Sequence, residues 1–128
     1  MQWTLRLAAV YNLIWGAWVI FLPQQSLDFM GYQEATGITR TIWQGMGMVI
    51  GVYGLGYYWA SFNPVKHWPI VAVGMLGKLF GPIGFLMNYL KGLVPVDMVF
   101  VLIFNDFIWW VPFSLILLKA HRASWPLK

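Results

Sequence analysis

The sequence predicts an all-α integral membrane protein, a four-helix bundle with up-down topology and both termini in the cytoplasm. Of its 128 residues, 60% are hydrophobic and 9% are charged, and the mean hydropathy is +0.67. Soluble globular domains carry about 25% charged residues, so this composition indicates a chain that lies in the bilayer. At about 20 apolar residues per span, the length allows four spans and no separate soluble domain. A single transmembrane domain is expected over 1–128.

Four apolar stretches predict the spans, and prolines stand at their boundaries. The predicted spans cover about 5–22, 42–62, 68–89 and 96–118. Pro23, Pro64 and Pro95 each mark a boundary. Arg6 precedes the first apolar run as in a signal peptide, but no small-x-small cleavage site follows, so a retained helix is expected. For the outer loop 23–41 we expect either a short helix at the membrane interface or a simple tether.

The basic residues predict the orientation, because Lys and Arg in short loops collect on the cytoplasmic side. Two of them, Arg40 and Lys91, flank the spans on one side. The other side has five: Arg6, Lys66, Lys119, Arg122 and Lys128. Both termini are therefore expected in the cytoplasm. The net charge of +4 could suggest a nucleic acid partner, but these residues are scattered beside apolar segments, which favours a topological role.

Several kinds of chemistry are excluded or disfavoured by the sequence. The chain has no cysteine, which excludes disulfides, thiolate metal sites and CxxC redox pairs. No HExxH, GxSxG or Walker motif occurs. His67 and His121 have no carboxylate nearby in sequence and make a poor metal site. We therefore predict no metal, no cofactor and no catalytic residue, and enzyme activity is the less favoured option.

Lys78 and Asp106 lie near the middle of the third and fourth spans. A charge at the bilayer centre costs roughly 2.5 to 3.5 kcal/mol on insertion scales, so such residues usually face the interior of a bundle and serve a function. A short connection makes the two spans antiparallel neighbours, and each residue is 14 positions from Gly92. They should share a depth in the membrane, but the spacing leaves open whether they face each other.

The candidate binding residues surround this pair of charges. They are Lys78, Asn105, Asp106, Trp109, Trp110 and Gln44. One interpretation is a polar site that binds a head group or relays protons, and the other is a structural pair that fixes helix register. Gln44 and Asn12 also suit interhelical hydrogen bonds. Pro82 removes the amide that would bond to the carbonyl of Lys78, so a kink is expected beside the charge.

Two rows of glycines predict close helix packing, since small residues let helix backbones approach in lipid. The rows are Gly47, Gly51 and Gly54 in the second span and Gly74, Gly77, Gly81 and Gly84 in the third. We expect the second and third spans to pack tightly, either against each other or against a neighbouring chain.

The stretches WQGMGMVIGVYGLGYY, GKLFGPIGF and NDFIWWVPF resemble signatures of small bacterial four-span inner-membrane proteins of the DoxX-like kind. The resemblance covers about a quarter of the chain and implies a bacterial inner-membrane location, but no activity is carried over. The chain is also similar in length to small multidrug transporters. It differs from them in having no acidic residue in the first span and a clear charge bias.

Three hypotheses of function follow. The first is a membrane protein that binds a lipid-like or aromatic amphiphile, or a partner helix, at Lys78, Asn105 and Asp106. The second is an accessory or assembly subunit of a larger membrane complex, with other membrane subunits or further copies of the chain as partners. The third is a proton-coupled transporter with Asp106 as the proton carrier. A binding or accessory role is favoured over transport.

Overall fold

The structure, a computed structural model, describes residues 1–32 and 37–124 and contains no strand among them. Five helices form it: α1 (Gln2–Phe21), α2 (Pro23–Phe29), α3 (Ile38–Ser61), α4 (Trp68–Leu90) and α5 (Val96–Ser124). The predicted all-helical class is confirmed. Within these described ranges, α1, α4 and α5 are long and apolar enough to cross a membrane. Lys128 and part of the predicted outer loop, 33–36, lie outside the described residues.

Helix α3 covers the second predicted span and is 24 residues long. It is less apolar than α1, α4 and α5 because it contains a row of glycines together with polar residues such as Arg40 and Gln44. Its crossing of the membrane, the up-down bundle and the cytoplasmic termini therefore stay predictions.

The chain divides into two compact units. The first unit, Leu5–Trp59, contains α2 and most of α1 and α3. The second unit consists of Met1–Thr4 and the chain from Ala60 onward, and it contains α4 and α5. The candidate site lies in the second unit.

In the first unit, α1 and α3 pack with their backbones in contact. A Cβ atom added at Gly16 would lie 2.7 Å from the carbonyl oxygen of Gly47 and 2.9 Å from the Cα atom of Gly51. A Cβ at Gly54 would lie 3.0 Å from the carbonyl oxygen of Ala9. The row Gly47, Gly51 and Gly54 thus packs against α1, a partner that the sequence analysis did not name. Gly16 was missed because it stands alone in its helix.

Two polar side chains join the same helices. Asn12 of α1 donates from Nδ2 to the carbonyl oxygen of Ile50 at 3.2 Å, and Gln44 of α3 donates from Nε2 to that of Ile20 at 2.8 Å. Their predicted role as interhelical donors is confirmed. From Asn12 to Ile20 the chain advances along α1 while its partner position goes back along α3 from Ile50 to Gln44, so the two helices are antiparallel.

The short helix expected after the first span is present as α2. Its Ser26 and Leu27 are buried, and Trp43 of α3 donates from Nε1 to Ser26 Oγ at 2.9 Å. The ring of Phe29 lies 5.2 Å from that of Trp18. Helix α2 is thus packed against α1 and α3 and is no simple tether, while its place at a membrane interface stays a prediction.

In the second unit, a tight turn reverses the chain between α4 and α5. Gly92 has a φ of +73°, a conformation that favours glycine. Its amide donates to the carbonyl of Tyr89 at 3.0 Å, and the amide of Leu93 donates to the carbonyl of Asn88 at 2.9 Å. This Schellman pattern ends α4 and lets α5 return beside it. Helix α5 extends to Ser124, beyond the predicted end at 118.

Candidate functional site

Helix α5 changes from α-helical to π-helical winding around its buried residue Asp106. Residues Ile103–Phe107 form a π-helical turn, in which the amide of Ile108 bonds to the carbonyl of Ile103, five residues back. Asn105 and Asp106 both belong to this turn. Single π-turns within α-helices are rare and occur frequently at functional sites. No feature of the sequence predicts this turn.

Lys78 and Asp106 are joined through Asn105. The Lys78 ammonium donates to the backbone carbonyl of Asn105 at 2.8 Å, and the Asn105 amide donates from Nδ2 to Asp106 Oδ1 at 3.1 Å. Lys78 is 6% exposed and Asp106 is 3% exposed, and their opposite charges attract. The structure therefore brings together the three central candidate residues. A direct ion pair between the two charged groups stays a prediction.

A second hydrogen bond runs between the same helices in the opposite direction. Trp110 of α5 donates from Nε1 to the backbone carbonyl of Lys78 at 3.0 Å. In a regular helix this carbonyl would accept from residue 82, but Pro82 has no N–H to offer. The candidate residue Trp110 thus donates the hydrogen bond that the Lys78 carbonyl cannot receive from Pro82. Lys78 is a side-chain donor and a backbone acceptor toward α5 at once.

Aromatic rings surround the ammonium group. Lys78 Nζ lies 5.6 Å from the ring centroid of Trp109 and 5.7 Å from that of Phe113, both within the range of a cation–π contact. Trp109 is buried and donates from Nε1 to the backbone carbonyl of Phe104 at 3.0 Å. The candidate residue Trp109 thus lies beside Lys78 and is itself held to α5 by a hydrogen bond.

The Asp106 carboxylate lies against the glycine row of α4. A Cβ atom at Gly81 would be 3.1 Å from Asp106 Oδ2, so glycine at this position lets the carboxylate approach the helix. At Gly77 and Gly84, a Cβ would have no described atom within 4 Å. Tight packing of α4 at these two glycines, against the second span or a neighbouring chain, stays a prediction.

One carboxylate oxygen has spare capacity to accept hydrogen bonds. Asp106 Oδ1 accepts from Asn105, whereas Oδ2 accepts from none of the described residues. No fully buried side-chain nitrogen or oxygen in the described ranges lacks a hydrogen-bond partner, so Oδ2 is not closed off completely. The site therefore combines balanced charges, an aromatic wall and an acceptor that a donor could still reach.

Gln44, the remaining candidate binding residue, belongs to the α1–α3 contact of the first unit and not to this cluster. The open acceptor at Oδ2 could not be found from the sequence, because it depends on how α4 and α5 are rotated. Comparison of the chain with family models, curated proteins and solved structures finds no match.

Proposed function

We propose that the chain is a four-span integral membrane protein that binds a lipid-like or aromatic amphiphile at Lys78, Asn105 and Asp106. One observation carries the proposal. Two opposite charges are buried in apolar helices and are joined through Asn105, and one oxygen of Asp106, in the π-turn, accepts no hydrogen bond from the described residues. Ionisable groups inside the membrane are costly and usually serve a function.

The unbonded oxygen favours binding over a purely structural role. Asp106 Oδ2 accepts no hydrogen bond from the described residues and is not fully buried, so a donor group of a ligand can reach it. Asp106 Oδ2 lies beside Gly81, where the missing side chain leaves room for the carboxylate. A polar group of a bound molecule would complete its hydrogen bonding.

Each residue has a distinct part in this site. Asp106 accepts a hydrogen bond from the ligand, and Asn105 holds the carboxylate through Oδ1. Lys78, fixed on the carbonyl of Asn105, offsets the negative charge. Trp109 and Trp110 form the aromatic side of the site and keep α4 and α5 in register.

The placement in the membrane follows from helix length and charge. Helices α1, α4 and α5 are long and apolar enough to cross, and α3 supplies the fourth span. The excess of Lys and Arg near the two termini and between the second and third spans supports cytoplasmic termini. The resemblance to DoxX-like proteins supports a bacterial inner membrane.

An accessory or assembly role is the second candidate, and a different observation favours it. Gly77 and Gly84 are seven residues apart, on one face of α4, and both positions are open. Small residues at such positions are typical of faces that receive another helix. A partner subunit, or a second copy of the chain, would pack there.

Native mass spectrometry of the protein released from nanodiscs tests the binding role. We expect the wild-type chain to retain a small molecule that Asp106→Asn loses. Asp97→Asn is the matched control, because Asp97 is an exposed aspartate of the same helix, and it should retain the molecule. Equal occupancy in all three proteins would contradict the proposal. A mass that corresponds to a second protein chain would instead support the accessory role.

A further inference from the structure

The geometry points to a neutral hydrogen-bond donor as the ligand, a hydroxyl or N–H group on an apolar chain that lies along α4 at the open positions Gly77 and Gly84, next to the Asp106 carboxylate. The inference rests on the proposed function and names the chemical class that the site takes. It combines two independent observations. The glycine row is open on both sides of Gly81, and a carboxylate oxygen without a hydrogen bond from the described residues lies over Gly81 itself.

The hydrogen bonding of the site requires a donor. A carboxylate oxygen only accepts hydrogen bonds, and Oδ2 of Asp106 is the atom that faces the row. A group that can only accept, such as an ether or an ester, offers this oxygen nothing and brings a second acceptor close to it. A hydroxyl or N–H group completes the set of hydrogen bonds that Asn105 begins at Oδ1.

The charge balance requires that this donor be neutral. Lys78 already offsets Asp106, since the two are linked through Asn105 and attract each other. A cationic ligand would add an uncompensated charge near the bilayer centre, which is costly. A neutral hydroxyl or amide group enters at a much smaller desolvation cost.

The row itself suits an apolar chain. Gly77 and Gly84 are seven residues apart, so the open floor is about 10 Å long at 1.5 Å per residue. Phe80 follows Gly77 by three residues and precedes Gly84 by four, so it lies beside the row, and its side chain is exposed. The two open positions therefore lie on either side of the Asp106 carboxylate at Gly81, and their edge at Phe80 is apolar.

Matched probes test the donor requirement. The protein, labelled with ¹³C-aspartate in nanodiscs, is titrated with 1-dodecanol and with dodecyl methyl ether, and the infrared bands of the labelled carboxylates are followed. Asp106→Asn identifies the band of Asp106. We expect the alcohol to shift this band and to bind about tenfold more tightly than the ether, because a hydrogen bond to a charged group is lost in the ether. Dodecylammonium, the charged analogue, should bind less tightly than the alcohol.

A side chain introduced into the glycine row tests where the alcohol binds. Gly84→Leu puts a side chain into an open position and should abolish the alcohol-induced shift. Gly45→Leu is the matched control, because Gly45 is equally open and lies in the first unit.

Equal binding of alcohol and ether, with both blocked by Gly84→Leu, would overturn the donor requirement and leave the proposed function standing. Tighter binding of the ammonium would overturn the neutrality. A shift that survives Gly84→Leu would overturn the location. If neither alcohol nor ether binds, the inference fails, and the native mass spectra decide separately on the proposed function.

Discussion

The indole nitrogen of Trp110 lies 3.0 Å from the carbonyl oxygen of Lys78. Pro82 leaves this carbonyl without its helical amide partner, so a side chain of α5 replaces a backbone bond of α4. The same lysine donates back to α5 at Asn105. Two bonds of opposite direction thus fix the rotation of each helix relative to the other.

Removal of this indole N–H should destabilise the second unit. Trp110→Phe keeps an aromatic ring and leaves the Lys78 carbonyl without a donor, at a cost of about 1 to 2 kcal/mol. In a Pro82→Ala background the backbone amide is restored, so the same replacement should cost much less. Thermal unfolding of the four proteins in one detergent measures the difference. Trp68→Phe, at an exposed tryptophan, is the control. Equal costs with and without Pro82 would contradict the assignment.

The single replacements Lys78→Met and Asp106→Asn should each be tolerated less well than the two together. Either one leaves an uncompensated buried charge, which commonly costs about 3 to 5 kcal/mol, whereas the double variant leaves none. Expression level and unfolding in detergent measure this. Single and double variants of equal stability would show that the two charges do not depend on each other.

The contact between α1 and α3 should tolerate no side chain at Gly16. Gly16→Ala places a methyl group 2.7 Å from the Gly47 carbonyl oxygen, so the helix backbones must separate, at a cost of about 1 to 3 kcal/mol. Gly45→Ala meets open space and should be neutral or stabilising by up to about 1 kcal/mol, because alanine favours helix. Thermal unfolding of both variants and the wild type in the same detergent measures the difference in stability. A Gly16→Ala protein as stable as the wild type would refute the close approach.

The absence of cysteine makes the membrane topology directly measurable. Single cysteines replace Lys66, Lys91 and Ser124, and intact cells are treated with a membrane-impermeant maleimide. With four spans and cytoplasmic termini, we expect labelling at 91 alone, since only that loop would face outward. Labelling at 66 or 124 in intact cells would contradict the predicted orientation. Lysed cells provide the control that all three sites are reactive.

Helix positions could largely be predicted because they depend on local apolar runs and on proline. The third span was expected at 68–89 and is found as Trp68–Leu90. The equal spacing of Lys78 and Asp106 from Gly92 likewise predicted a shared depth, because the turn at Gly92 is short, but it left open whether they face each other. These features need no knowledge of which side of a helix faces its neighbour.

Features that depend on helix rotation escaped prediction. Nothing in the sequence indicates the π-turn at Ile103–Phe107, since an extra residue in one turn leaves an apolar run unchanged. The row Gly47, Gly51 and Gly54 indicated a close contact, but its partner, Gly16, is a single glycine in α1. To predict the hydrogen bond from Trp110 to the Lys78 carbonyl, one would need both the effect of Pro82 on that carbonyl and the rotation of α5.

The hydrogen bond from Lys78 to Asn105 also bears on how the chain enters the membrane during synthesis. The acceptor follows the donor by 27 residues, so Lys78 is synthesised before the carbonyl to which it donates. A lysine alone at the bilayer centre makes insertion of α4 by itself less favourable. Entry of α4 and α5 together, as one helical hairpin with its polar groups already matched, is the route of lower free energy.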